Sequence, residues 1–291
     1  PDGPDQPGGA PVRFGVTIFS TDVSMPVPDL AVAAEERGFD SIWIPEHSHI
    51  PTSRRTPPPT GDAELAEEYK RSVDPLIALA AAAALTSTIR LGTGILLPAQ
   101  REPIVTAKAI ATLQNLSGGR FDLGIGFGWN EDEMEDHGVD YRTRREHARE
   151  HVLAMKALWT EEVASFDGEF VSFPDCWSWP KPDVPVPVLI GGGAGPKMFA
   201  HLAEYADGWI PIGGAGLTQA IPRYKEAVAA AGRDPEAMRI IPFGSLPTAP
   251  KLEHFAEIGV TECVFRIPSA PTDEVLPVLD EQAALIAELR G

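Results

Sequence analysis

Eight times along this chain, a short run of β-branched and aromatic residues gives way, through a turn signal, to a longer Ala-, Leu- and Glu-rich stretch of helical period. That alternation constrains the fold more than any single residue, because strand–helix repeats build a parallel sheet flanked by helices. The strands read as Arg13–Phe19, Ser41–Pro45, Ile89–Leu96, Phe121–Gly126, Pro187–Ile190, Gly208–Ile212, Arg239–Phe243 and Glu262–Ile267. The helices between and after them read as Asp29–Arg37, Val73–Thr86, Pro103–Leu116, Thr143–Trp159, Pro196–Tyr205, Leu217–Ala231, Lys251–Ile258 and Thr272–Leu289. The strands are apolar almost throughout, as parallel strands buried on both faces require. An open doubly wound sheet would carry GxGxxG after its first strand. Here that position reads STDVSMPVP. The expectation is an α/β chain forming a single (β/α)8 TIM barrel over residues 12–291, preceded by a flexible tail at residues 1–11. The tail has neither the basic nor the apolar region of a signal peptide.

Three connections exceed ordinary loop lengths. Residues 46–72 and 127–142 follow the second and fourth strands, on the face where barrel active sites form. Residues 160–186 precede the fifth strand and suggest a hairpin around Asp167-Gly168. The Pro-rich run Thr56–Thr60 reads as a stiff or mobile segment.

Charge narrows the partners. Lys and Arg number 24 against 42 Asp and Glu, a formal net charge of −18. Neither a nucleic acid nor an anionic membrane surface is expected as a partner. Any anionic ligand must be held by local geometry. No apolar window is long enough to span a bilayer. Two cysteines, Cys176 and Cys263, without a CxxC or zinc spacing, suit a cytoplasmic protein without a metal site.

The candidate chemistry lies just past strand ends. The second strand exits into Glu46, His47 and His49, where a histidine can move a proton or donate to a ligand. A His47–His49 metal pair lacks an obvious third ligand. Gly92 and Gly94 in the third strand indicate a bulge or a ligand approaching the backbone, with simple packing as the alternative. The fourth strand runs through Gly124, Gly126 and Gly128 to Trp129 and Asn130, an aromatic wall and an amide. The acids that follow, Glu131, Asp132, Glu133, Glu135 and Asp136, read as a solvated loop. The sharpest signal is Gly191, Gly192, Gly193, Ala194 and Gly195 between the fifth strand and a helix at Pro196. Bare amides and a helix N-terminus there make an anion cradle, and Lys197 could add charge. Arg101, Arg142, Arg144 and Arg145 could hold acidic ligand tails, although each could equally form an ordinary ion pair. Trp177 and Trp179 read as packing residues.

The stretches RFGVTIF, EERGFDSIWIPEH, IRLGTGILLPAQREPIVTAKAIATLQNLSGGRFDLGIGFGWNEDE and PVPVLIGGGAGPKMFAHLAEYADGWI resemble the luciferase-like monooxygenase superfamily, in its F420-dependent oxidoreductase branch, over about residues 13–215. The resemblance implies a (β/α)8 barrel with coenzyme F420, a deazaflavin, or alternatively FMN, at the C-terminal mouth. It implies a non-prolyl cis peptide at Gly94-Ile95 supporting the ring. It matches Glu46 and His47 to a strand-two acid and a catalytic histidine, and Gly191 to Gly195 to a cofactor phosphate loop. Gly128 and Trp129 would border the cofactor. Trp129 stands where sugar-phosphate dehydrogenase members carry an acid, and Glu46 stands where they usually carry Asp, so their substrate is not expected. The implied activity is hydride transfer between F420 and a small organic substrate. The alternatives are an FMN-dependent monooxygenase using a reductase and O2, and a non-catalytic cofactor-binding barrel. Relatives of this kind suggest a homodimer.

Overall fold

A computed structural model describes residues 12–57, 64–245 and 247–290. The proposed tail at 1–11 and residues 58–60 of the Pro-rich run lie outside the described residues. The first half of the barrel comprises β1 (Arg13–Thr17), α1 (Val27–Glu36), β2 (Ser41–Ile44), α2 (Glu67–Lys70), α3 (Pro75–Leu85), β3 (Arg90–Thr93), α4 (Pro103–Leu116), β4 (Phe121–Ile125), α5 (Glu131–Asp136) and α6 (Arg144–Thr160). A hairpin of β5 (Ala164–Asp167) and β6 (Ser172–Cys176) follows. The second half runs β7 (Val188–Gly191), α7 (Pro196–Tyr205), β8 (Gly208–Ile210), α8 (Leu217–Ala230), β9 (Arg239–Ile240), α9 (Ala249–Glu257), β10 (Glu262–Arg266) and α10 (Thr272–Arg290).

Eight strands pair in parallel in the order β10-β1-β2-β3-β4-β7-β8-β9. The ring closes just past β9, where Phe243 bridges Val264 of β10. The Val264 amide donates to the Pro242 carbonyl at 3.1 Å. This is the (β/α)8 barrel the repeats predict, with the hairpin at Asp167-Gly168.

Two strands fall furthest short of their sequence patterns. β3 stops at Thr93 because the next peptide, Gly94-Ile95, is cis and turns the chain, and Leu96 then rejoins Ile125 by a bridge. β9 stops at Ile240 because Pro242 has no amide to give the ladder. Two helices, α3 and α4, begin where a carboxylate satisfies their first amides. Asp74 accepts from Ile77 at 3.0 Å, and Glu102 accepts from Ile104 and Val105 at 3.1 and 2.6 Å.

The core has two layers. Apolar strand faces pack outward against the helices in one large cluster. Inside the ring, Trp43, Leu189, Ile210, Ile241, Phe243 and Val264 form a second cluster against which Ile95 packs. Trp43 explains Gly92: a Cβ there would stand 2.1 to 2.6 Å from the indole ring. Packing, not ligand approach, accounts for that glycine.

The N-terminal end of the barrel is plugged by charge. Asp122 and Glu262 are fully buried. Asp122 accepts from Arg90 at 2.7 Å through two nitrogens and from Arg239 at 2.7 and 3.1 Å. Glu262 accepts from Arg239 at 3.1 Å, from Arg13 at 3.0 Å and from the Ser41 hydroxyl at 2.5 Å. Burial pushes the Asp122 carboxyl up, but Arg239 and Arg90 beside it bring it below its usual range. Removing one member of a buried pair strands the other's charge, which costs about 3–5 kcal/mol. Asp122→Ala is therefore expected to lose about that much in denaturant unfolding. A loss within the range of ordinary surface substitutions would refute the plug.

A second carboxylate fixes the turn between α3 and β3. Glu35 accepts from the amides of Ser87, Thr88 and Ile89 at 2.9, 2.5 and 2.9 Å and from the Thr88 hydroxyl at 2.8 Å. Burial raises its pKa, yet these donors outweigh it and bring the carboxyl from 4.5 to about 2. Because the folded value lies below the unfolded one, its contribution is full above pH 4.5 and is lost as pH falls towards about 2. Thermal melts of Glu35→Gln should differ from wild type at neutral pH and converge with it through that acid window; a difference independent of pH would contradict the assignment.

Candidate active site

Every parallel strand delivers its C-terminal end to the same rim, so the loops after β1, β2, β3, β4 and β7 converge there. His47, three residues past the end of β2, is buried beneath three aromatic rings. Phe19 stacks at 6.5 Å between centroids, Tyr69 lies at 5.3 Å, and Trp129 meets it edge-on at 5.9 Å. His47 Nδ1 stands 2.8 Å from Oε2 of Glu133, whose side chain is buried on α5.

Glu46 faces away from that cluster. One carboxylate oxygen accepts from the Leu97 amide at 2.7 Å and the other from Arg101 Nε at 2.6 Å. Arg101 also donates to Asp74, the cap of α3, at 2.6 Å. Burial pushes the Glu46 carboxyl above its usual range while Arg101 and the Leu97 amide pull it back. Its own amide donates to the Ile95 carbonyl at 3.1 Å. Glu46 thus ties the β2 exit to the turn after β3. A cavity of about 340 Å³ opens beside these groups, lined by Glu46, His47, Ser48, Gln100, Arg101 and His137 among others.

The cis Gly94-Ile95 turn lies in the mouth. A Cβ on Gly94 would stand 2.5 Å from Phe243, so the turn sits hard on the inner core. Ile95 reaches between neighbouring strands: Cβ atoms on Gly126 and Gly191 would stand 2.3 and 2.8 Å from it. Gly128 takes a φ of +75° and its carbonyl accepts from Arg144 Nε at 3.2 Å. The Gly191–Gly195 loop continues around the rim from β7 into α7. Cβ atoms on Gly193 and Gly195 would meet nothing within 4 Å. Among the described residues, the amides of Gly193, Ala194 and Gly195 donate to no protein group. An open cradle of bare amides ahead of a helix suits a phosphate, and the residues present fit a phosphorylated flavin or deazaflavin.

The structure brings His47 and Trp129 into one cluster, turns Glu46 away from it toward the Ile95 turn, and sets Gly191 beside Ile95. It corrects other readings. The acidic run after β4 is a helix, not a solvated loop. Glu133 is 1% exposed, and Arg55, reaching across from the 46–57 loop, pairs with Asp132 at 2.5 Å and Glu131 at 3.5 Å. Asn130 three residues before Glu133 is a helix-start spacing that signals this element. Trp177 and Trp179 are 78% and 58% exposed and do not pack in the core. Arg101 is spent on Glu46 and Asp74, and Arg142 on Asp140. His49 pairs with Asp136 at 3.0 Å.

The sequence profile of the luciferase-like monooxygenases matches residues 16–256. An uncharacterised protein of Mycobacterium tuberculosis is 42% identical over 280 residues, covering 95% of this chain and 99% of its own length. An F420-dependent glucose-6-phosphate dehydrogenase of Kineococcus radiotolerans is 34% identical over 237 residues, covering 77% of this chain and 65% of its own. Two solved structures, an F420-dependent secondary alcohol dehydrogenase with an F420-acetone adduct and the monooxygenase RslO1 of Streptomyces bottropensis, each superpose at a TM-score of 0.78 with 20% identity. They cover 96% of this chain and 99% and 100% of theirs. The chain belongs to the luciferase-like monooxygenase family.

The Glu46 tie generates a test. Glu46→Ala leaves Arg101 with Asp74 alone and the Leu97 amide without its acceptor, and should cost about 3–5 kcal/mol. Glu46→Gln keeps an acceptor for that amide and should cost less. Denaturant midpoints that rank the two variants the other way would contradict the role.

Proposed function

We propose that this luciferase-like barrel transfers a hydride between coenzyme F420 and a small uncharged alcohol, or the matching carbonyl compound, at its C-terminal mouth. The observation that carries the reading is the Gly94-Ile95 turn, with Ile95 set against Gly126 and Gly191. Those two glycines leave room for the Ile95 side chain, which anchors the turn in the mouth. When bound, F420 supplies the carbon that accepts or releases hydride. The chain's part is placement: the amides of Gly193, Ala194 and Gly195 hold the phosphate, Ile95 supports the ring, and Phe19, Tyr69 and Trp129 keep water from His47. His47 then takes or returns the proton of the substrate oxygen.

The substrate class follows from the charges. Arg101, the cation lining the cavity, is held by two carboxylates, and Glu46 and Asp74 lie beside it. A phosphate or carboxylate there would meet acids without a free guanidinium. The relative named for glucose 6-phosphate therefore differs from this chain in substrate. The same glycine cradle would serve FMN, so the monooxygenase reading stays as the second one, and oxygen uptake with reduced FMN would select it. A merely cofactor-storing barrel gives no reason to bury the His47–Glu133 pair, whose desolvation is costly.

The exposed apolar side chains Ile77 and Leu85 on α3 and Val105 and Leu116 on α4 support a homodimer. The free thiols of Cys176 and Cys263 accord with a cytoplasmic setting. Among the described residues, no helix is long and apolar enough to cross a membrane.

The test is F420 reduction followed by absorbance with 2-propanol, cyclohexanol and glucose 6-phosphate as donors. Turnover with an uncharged alcohol and none with the sugar phosphate is expected. Preference for the sugar phosphate would overturn the substrate class.

A further inference from the structure

Glu133 stands apart from the other acids of its helix. Glu131, Asp132 and Glu135 pair with Arg55, and Asp136 with His49, all at the surface side of α5. Glu133 alone turns inward, 1% exposed, with one oxygen 2.8 Å from His47 Nδ1 and the other without a protein partner. An ionised carboxylate in such a place is expensive unless it is paired. Leucine or glutamine would fill the volume without that cost, so packing alone does not account for a carboxylate.

The geometry divides the two nitrogens of His47. Nδ1 faces an acceptor that has no proton to give while ionised, so the ring's proton sits there. Nε2 has no protein partner among the described residues, and His47 lines the 340 Å³ cavity. The ring cannot readily turn to exchange the two, because Phe19, Tyr69 and Trp129 enclose it. Trp129, directly after the β4 glycines, offers no exchangeable acid; the carboxylate comes four residues later, from α5.

We propose that Glu133 is the positioning residue of the reaction: it holds the Nδ1 proton of His47, keeps Nε2 bare for the substrate hydroxyl, and offsets the charge of the imidazolium that forms. This rests on the alcohol-oxidising reading above. In that direction the substrate carbon's hydrogen leaves as hydride to oxidised F420, the hydroxyl proton passes to Nε2, and the carbon–oxygen double bond forms. Glu133 keeps its hydrogen bond to Nδ1 throughout. Reduction of a carbonyl runs the same steps backward.

The experiment reads the tautomer directly. The full chain, labelled with 15N-histidine, is observed at a pH where the imidazole is neutral, with no ligand added. The His47 signals among the seven histidines are assigned by their loss in His47→Asn. Wild type should show Nδ1 protonated and Nε2 bare. Glu133→Gln is nearly isosteric, and its amide can donate to Nδ1, so the proton should move to Nε2; Glu133→Asp should restore the wild-type pattern in part. In the 2-propanol assay, Glu133→Gln should lower kcat by about 10²–10⁴-fold with F420 affinity by fluorescence unchanged.

An Nε2-protonated His47 in wild type, or the same tautomer in wild type and Glu133→Gln, overturns the proposal. So does a Gln variant that retains wild-type kcat. Failure of wild type to bind F420 would instead remove the proposed function, and the tautomer result would still decide the role of Glu133. If Glu133→Gln did not fold, Glu133→Asp and the wild-type tautomer would carry the test.

Discussion

One buried carboxylate organises the mouth of this barrel. Glu46 accepts from the Leu97 amide and from Arg101, Arg101 reaches the α3 cap Asp74, and the Glu46 amide donates to Ile95. Three separate connections are thereby tied at one point: the exit of β2, the turn after β3 and the start of α3. His47 is the next residue, so its imidazole inherits the position of this knot. An acid here could have served a ligand, but both of its oxygens are engaged by the protein. Its effect on chemistry runs through the placement of Ile95 and His47.

The barrel divides its polarity along its axis. At the N-terminal end, Asp122 and Glu262 are buried among Arg13, Arg90 and Arg239 and seal the ring with paired charge. The middle is apolar, built on Trp43 and Phe243 in edge-to-face contact at 5.2 Å. At the C-terminal end polar groups return, but several stay unsatisfied: the amides of the Gly193–Gly195 loop, one oxygen of Glu133 and the side chain of Asn130. A stable end built on buried ion pairs and a functional end with several of its polar groups open is the division expected of a barrel enzyme. In a chain of net charge −18, the bare backbone amides of the cradle offer local donors that the overall charge does not.

What was legible in the sequence was whatever depends on near neighbours along the chain. Strand and helix periodicity, the Asp167-Gly168 hairpin and the glycine run before Pro196 are local patterns, and each has its counterpart in the structure. The cis turn at Gly94-Ile95 came through family resemblance; spacing alone showed only a glycine in a strand. What escaped depends on distant segments meeting. Glu133 looked like one more acid in a run, because its burial requires the 46–57 loop to fold over α5 and Arg55 to pair with its neighbours. Gly92 looked open to a ligand because the Trp43 ring that fills its space belongs to the adjacent strand. Trp177 and Trp179 read as packing residues on residue type, yet they lie exposed just past β6, which ends at Cys176.

We propose that this mouth holds a phosphorylated deazaflavin between the Ile95 turn and the Gly193–Gly195 cradle. Fluorescence titration of the purified chain with oxidised F420, with FMN in parallel, tests it most directly when repeated on Gly193→Glu, which puts a carboxylate into the cradle. The account predicts saturable binding of F420 in preference to FMN, and loss of that binding in the variant. Preference for FMN, or F420 binding indifferent to the new carboxylate, would contradict it.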